Sequence, residues 1–263
     1  MNIHTLLMWL QKLIIKEGIF MQKITAKQEN SVSRVFSHPF SSDFWLYAAR
    51  ELRSVRSLVL CALFVALRVA LHAIAIPVGE NLNIYATFFV NALGSMIYGP
   101  VLGLVGGLLS DTISALVFPS GIYFFPFAFI EMASSFIYGL FLYRARLGAW
   151  RGILSKFAVT AVCNLIMTPV VMYYYYITVL GKSYTLLSLP RVIKNVALFP
   201  LEAILLMFFL AAMQPTLVKM KLTPSGTKFD VKLNAKNIAF LVLLTLAAVA
   251  IVICYYTFFV TKK

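Results

Sequence analysis

Apolar residues gather in long runs separated by short polar breaks. Seven runs stand out, at 57–76, 84–99, 100–118, 123–143, 157–179, 191–213 and 237–260. A helix that crosses a bilayer needs about 20 mainly apolar residues, and six of the seven approach that length; the run at 84–99 is short. No segment shows the period-two alternation of a membrane barrel strand. A backbone in lipid must close its own hydrogen bonds, so the pattern predicts an all-α polytopic membrane protein.

Composition sharpens this reading. The chain is 61% hydrophobic and 12% charged, with a mean hydropathy of +0.88, against about 45–50% apolar residues in a soluble domain. The formal net charge of +14 would point to nucleic acid in a soluble protein. Here the cations cluster between spans, and no nucleic-acid partner is expected. Arg50, Arg53 and Arg56 precede the first run; Arg144, Arg146, Arg151 and Lys156 separate the fourth and fifth; Lys219, Lys221, Lys228, Lys232 and Lys236 separate the sixth and seventh. By the positive-inside rule all three clusters, and the N-terminus, are cytoplasmic. The opposite loops, 77–83, 119–122 and 180–190, carry only Lys182, with Arg191 and Lys194 just beyond. Cys61, Cys163 and Cys254 each lie alone in an apolar run, which suggests neither a disulfide framework nor a metal site.

The pattern divides the chain into an N-terminal extension (1–56), a six-helix membrane domain (57–213), a basic cytoplasmic linker (214–236) and an extra span (237–260). Within the extension Ile3, Leu6, Leu7, Leu10, Leu13 and Ile14 recur at helical spacing, as in a helix lying on a membrane surface. Residues 1–56 are mixed in character and contain Ser31, Ser33, Ser37, Pro39, Ser41 and Ser42, so much of this extension reads as flexible or interfacial. Met21 stands as an alternative start.

The first run, SLVLCALFVALRVALHAIAI, holds an arginine at its centre. At about 100° per residue, Ala62, Ala66 and Ala70 form one narrow stripe and Arg68 lies about 160–200° away from it. A small-residue stripe lets a second helix backbone approach closely. A charge at mid-membrane needs a partner or a watered recess. The alanines are therefore expected to face a neighbour, and Arg68 the interior. In the third run Gly99, Gly103 and Gly107 repeat the four-residue spacing. Two smooth helices suggest a docking surface for another protein.

Over residues 36–213 the chain resembles the S components of energy-coupling factor (ECF) vitamin transporters, and their folate-type branch in particular. The stretches that carry the likeness are FSHPFSSDFWLYAARELRSVRSLVLCALFVALRVAL, FFVNALGSMIYGPVLGLVGGLLSDTISAL, FPSGIYFFPFAFIEMASSFIYGLFLYR and RVIKNVALFPLEAILL. The resemblance implies a six-helix substrate-binding subunit in the bacterial plasma membrane, docked on a transmembrane coupling subunit driven by two cytoplasmic ATPases. It also implies docking through AxxxA-type stripes on the first and third helices, here Ala62, Ala66, Ala70 and Gly99, Gly103, Gly107. The seventh run and the long N-terminal extension depart from that plan. So does FFPFAFIE, which lacks a glycine after Pro126.

A folate joins a flat pterin to an aminobenzoyl group and an anionic glutamate, so its site should offer stacking surfaces, amides and positive charge. The candidates are Arg68; Asn81, Asn83 and Tyr85 in and after the first loop; Phe118, Ser120, Tyr123 and Phe125 around the third-to-fourth connection; Asn91, Asn164 and Asn195 within spans; and Arg191 at the outer mouth with Lys182 and Lys194. Asn164 has a second reading, bonding carbonyls freed by Pro169. Three acidic residues lie within spans. Asp111 is expected to pair with Arg68, Glu202 to receive a pterin amine, and Glu131 has no assigned role. His72 shares the Arg68 face and reads chiefly as packing.

No HExxH, GxSxG or GxxxxGK[ST] motif occurs, so no catalytic residue, cofactor or metal is expected. Other cargo (pantothenate, a thiamine precursor, a queuosine precursor) and a non-transporting membrane scaffold remain as alternatives.

Overall fold

A computed structural model describes residues 35–224 apart from 37, 80, 81, 120, 147, 187 and 188. The surface helix expected near residues 3–14, the 237–260 span and the 225–236 portion of the linker lie outside the described residues.

Helix α1 (Ser42–Glu51) starts where Ser41 Oγ accepts the Phe44 amide at 3.3 Å, a standard N-cap. It buries Phe44 and Ala48 against Tyr143. Part of the extension read as flexible is therefore an anchored helix. The serines before it act as turn and cap. Glu51 fastens this end of the molecule: it accepts from Tyr143 Oη at 2.7 Å, from Arg144 Nη2 at 3.3 Å and from Ser57 Oγ.

Helix α2 (Val55–His72) is capped by Ser54, whose Oγ accepts the Ser57 amide at 3.4 Å. It ends four residues before the apolar run does. The chain then forms an antiparallel hairpin, β1 (Ala75–Gly79) and β2 (Leu82–Tyr85), with Ala75 opposite Tyr85, Ile76 opposite Ile84 and Pro77 opposite Asn83. Ile74, Ala75 and Ile76 thus extend the apolar run without extending the helix, and the loop expected at 77–83 is largely a β-ribbon.

Helix α3 (Thr87–Val117) is two limbs joined at Gly99, whose φ of 81° and ψ of 179° leave the helical region. Such a φ is routine only for glycine, and Pro100 then supplies a first-turn φ for the second limb. A Cβ added at Gly94 would lie 2.5 Å from Tyr98 Oη and one at Gly106 3.5 Å from the same atom. In a straight helix these glycines would stand about 18 Å apart, so the limbs fold back on one another. The runs at 84–99 and 100–118 are therefore separate limbs around one tight turn.

Helix α4 (Pro126–Leu142) follows. Then come α5 (Ala149–Val159), a π-helical segment (Thr160–Met167) and α6 (Thr168–Thr178), which together cross as one rod. Helix α7 (Leu189–Lys219) completes the described bundle. Leu93, Met96, Tyr138, Leu142, Cys163 and Leu206 meet at its centre. Four of these helices are long and apolar enough to cross a membrane (Val55–His72, Thr87–Val117, Trp150–Thr178 and Arg191–Lys219), and α4 is a shorter apolar helix. With α3 counted as two limbs, the described residues hold six spans in a multi-pass membrane bundle.

The two stripes separate here. Gly99, Gly103 and Gly107 are buried. A Cβ at Gly103 would stand 3.3 Å from Ser135 O and one at Gly107 2.7 Å from Glu131 O, while a Cβ at Gly139 would stand 2.5 Å from Pro100 Cα. Positions 131, 135 and 139 of α4 follow the same four-residue period, so the glycine row of α3 and this row of α4 fit each other at backbone distance. The glycines therefore pack within the chain, against the expectation that a foreign helix docks on them. Ala62, Ala66 and Ala70 are exposed along with Val59, Leu63 and Leu67. Their helix packs through its other face, where Cys61, Val65 and Val69 meet Tyr98 and Leu102.

Candidate functional site: a charged centre beneath an aromatic rim

The close approach of α4 carries two polar side chains to α2. Arg68, 2% exposed, forms an ion pair with Glu131 and donates from Nη1 to Ser135 Oγ at 3.3 Å. The arginine's partner is therefore Glu131, which sits on the glycine-contacting row, and the expected pairing with Asp111 does not form. Glu131 is 40% exposed. The pair therefore reaches from the packed interior to the surface of the bundle.

The network continues into α3. Ser135 Oγ lies 2.8 Å from Asn91 Oδ1 and 2.9 Å from Glu131 O, and Asn91 Nδ2 donates to Ser134 Oγ at 2.7 Å. Ser95 Oγ reaches Asn91 Oδ1 at 3.5 Å. Asn91, proposed from sequence as a ligand contact, thus holds the arginine's supports in place, as a buried amide must be bonded. Three buried atoms next to this network have no hydrogen-bond partner among the described residues, Arg68 Nε, Asp111 Oδ2 and Tyr98 Oη. Asp111 lies within electrostatic reach of both Arg68 and Glu131, as does His72.

Aromatic surfaces border this centre. The His72 ring stacks on Tyr85 with centroids 4.6 Å apart and planes 16° apart, which gives the histidine a definite partner at the foot of the β-ribbon. At the start of α4, Phe124 and Phe127 face Tyr175 at 5.6 and 5.7 Å. Phe118, Tyr123 and Phe125 are exposed; Tyr123 shares a hydrogen bond with Thr112 at 3.1 Å and Phe125 packs edge-on against Phe129. The alternation around Pro126 therefore turns Phe124 and Phe127 toward the bundle, where the sequence pointed to Phe125. Asn81 and Ser120 lie outside the described residues, and Asn83 is placed by its backbone in β2.

On α7, Arg191 is 9% exposed, lies 5.9 Å from the Tyr184 ring, and leaves Nη1 without a partner among the described residues. Asn195 Nδ2 donates to Arg191 O at 2.9 Å, one helical turn back. Lys182 is exposed.

Glu202 is already occupied: Lys156 Nζ, 3% exposed, lies 2.9 Å from its Oε2 and 4.1 Å from the Phe88 ring centroid. The pairing needs α5 to bring a lysine from the run's basic flank into the bundle, since the helix starts at Ala149, eight residues before the apolar run. Asn164 is half-buried in the π-helical segment, where Cys163 O accepts both the Thr168 amide and Thr168 Oγ1, the latter at 2.7 Å. No group of three or more metal-ligating side chains occurs among the described residues.

A bundle of apolar helices with an ion-paired arginine in its interior defines a polytopic membrane protein. Comparisons with known proteins give the class a family. A profile described as "ECF-type riboflavin transporter, S component" matches residues 52–215, and the chain belongs to that family of transporter components. Among similar curated proteins are folate transporters FolT: that of Clostridium novyi is 30% identical over 120 residues, 45% of this chain and 67% of the relative. That of Leuconostoc mesenteroides is 29% identical over 150 residues, 56% and 80%. A crystal structure of FolT bound with folic acid aligns with a TM-score of 0.52 at 29% identity, covering 59% of this chain and 92% of that one. These relatives place the chain on the folate branch of the S components.

Proposed function

We propose that this chain captures a folate at the outer face of a bacterial membrane and hands it to an ECF importer powered by partner ATPases. The observation that carries the reading is Arg191: a buried guanidinium with an unpartnered Nη1, beside Tyr184, fits the anionic glutamate of a folate. Arg68, Glu131 and Asp111 then receive the heterocycle at mid-depth, and Tyr85, Phe124, Phe127 and Tyr175 supply its stacking walls. The N-terminus and the end of the bundle fastened by Glu51 face the cytoplasm, following the basic clusters.

The exposed alanine row of α2 is the docking face for the coupling subunit. It is apolar, built of small residues and exposed. The described site holds no phosphate-binding loop, so the energy comes from the partners. Riboflavin is the second reading, favoured by the description of the matching profile.

Mass spectrometry of the small molecule retained by the detergent-purified chain tests the cargo. A folate is the expected result. Retained riboflavin, or no binding of added folate in a titration, overturns the folate reading.

A further inference from the structure

Helix α1 buries one face in the bundle, yet its opposite face is not the polar surface that a helix in water presents. Trp45, Leu46 and Leu52 are exposed there, with Phe40 just before the helix and Arg50 and Arg53 beside them. At about 100° per residue Trp45 and Leu52 fall on one flank and Arg50 on the other, about 140–160° away, with Leu46 and Ala49 between. Contacts with α4 fix how the helix lies. Phe44 meets Tyr143 at 5.7 Å, just past the end of α4, whereas Trp45 stacks on Phe136 at 6.0 Å, about 10 Å further along that helix. The Trp45 flank is therefore turned toward the apolar length of α4 and the Arg50 flank toward its end, where Arg50 and Arg144 bracket the Tyr47 ring at 5.6 and 5.0 Å. Arg144 is held by Glu51 at 3.3 Å, but Arg50 and Arg53 pair with no carboxylate among the described residues.

We propose that α1 binds anionic phospholipid at this end of the bundle: Phe40, Trp45, Leu46 and Leu52 enter the boundary between headgroups and acyl chains, and the Arg50 and Arg53 guanidinium groups take headgroup phosphates. An apolar flank turned toward the spans and a basic flank turned away from them is the pattern of a helix lying in the interface. The two sets of side chains stand at two depths, as acyl chain and headgroup do. A guanidinium matches a phosphate through its fork of N–H donors. Two cations without carboxylate partners favour a leaflet of net negative charge over a zwitterionic one, whose phosphates each carry their own cation. Glu51, at the end of the same helix, accepts from Tyr143, Arg144 and Ser57, so lipid held by α1 is tied to the last turn of α4 and the first turn of α2.

The test is quenching of Trp45 fluorescence by brominated lipid, on the intact detergent-purified chain carrying Trp9→Phe and Trp150→Phe so that Trp45 is its sole tryptophan. Phosphatidylglycerol and phosphatidylcholine with the same dibrominated acyl chains are titrated into the micelles. Phosphatidylglycerol should reach half-quenching at a mole fraction up to about 25-fold lower than phosphatidylcholine, at about 5-fold for each arginine. Adding Arg50→Gln and Arg53→Gln should bring the two lipids to within about 3-fold of each other and leave elution and thermal midpoint in detergent unchanged, since both side chains are exposed. Equal half-quenching by the two lipids before the arginines are changed overturns the proposal whatever the arginine variant does. So does a folded arginine variant that keeps the full preference. A Trp45 that neither lipid quenches also overturns it, because the face is then covered by protein or turned to water.

Discussion

Gly107→Ala tests how the second small-residue stripe is used. A methyl group there would lie 2.7 Å from Glu131 O, 2.8 Å from Glu131 C and 2.8 Å from Met132 Cα. All three atoms are backbone, so no side-chain rotation relieves the clash. Ordinary contact begins near 3.4 Å, so α4 must withdraw by roughly 0.7 Å against close packing. Overpacking of this kind costs about 1–3 kcal/mol, and alanine's better helix propensity returns about 0.5–1. The net loss is about 1–2 kcal/mol, or a drop of roughly 2–8 °C in thermal midpoint for a domain of this size. Gly152→Ala is the control: its nearest neighbour is Met207 Cγ at 3.2 Å, part of a flexible side chain, and its midpoint should equal or exceed the native value. Thermal unfolding in one detergent compares the three proteins. A Gly107→Ala protein that melts with the native chain but no longer retains the coupling subunit would refute the internal packing and return the glycine row to a docking role.

Three further outcomes are expected. Ala66→Trp, on the exposed face of α2, should leave the midpoint and folate affinity unchanged and abolish co-purification of the coupling subunit; retained association would show that another face docks. Glu202→Gln should destabilise by about 3 kcal/mol, because Lys156 at 3% exposure is left as an unpaired buried cation. Most of that loss should be recovered in Lys156→Met/Glu202→Leu, and a neutral single variant would exclude the pair from the interior. Arg191→Gln should weaken folate binding by about 10-fold or more and leave pteroate, which lacks the glutamate, unaffected. An equal loss for both ligands would remove Arg191 from the anionic end.

The six runs within the described residues were legible because all but 84–99 approached the length that a bilayer imposes. The burial of Arg68 opposite exposed alanines was legible too, since both follow from helical phase alone. Three things were not. The end of α2 was invisible because Ile74–Ile76 is as apolar as the helix before it, and period alone does not separate a short strand from a helix end. The partner of Arg68 was misassigned because Asp111 and Glu131 are both unaccompanied carboxylates in apolar runs; choosing between them requires the depth at which α3 and α4 cross. The partner of Glu202 was hidden because Lys156 was read as part of a basic loop, although extending the following helix by two turns would have drawn it inside.

The two stripes show how one sequence signal takes two structural roles. Glycine at 103 and 107 permits contact with the α4 backbone at Ser135 and Glu131, and Gly139 in turn admits Pro100, whereas Gly99 faces the ring of Tyr143. That contact fixes the height of α4, and with it the position of Glu131 opposite Arg68. Alanine at 62, 66 and 70 leaves methyl groups that no described helix covers, on the one helix whose other face carries the arginine. The residue proposed to bind and the surface proposed to dock are therefore borne by a single 18-residue helix, α2. Its inner face is fixed by Glu131 and Ser135. Since a helix moves as a rigid unit, a shift imposed on Arg68 would be carried directly to the alanine face.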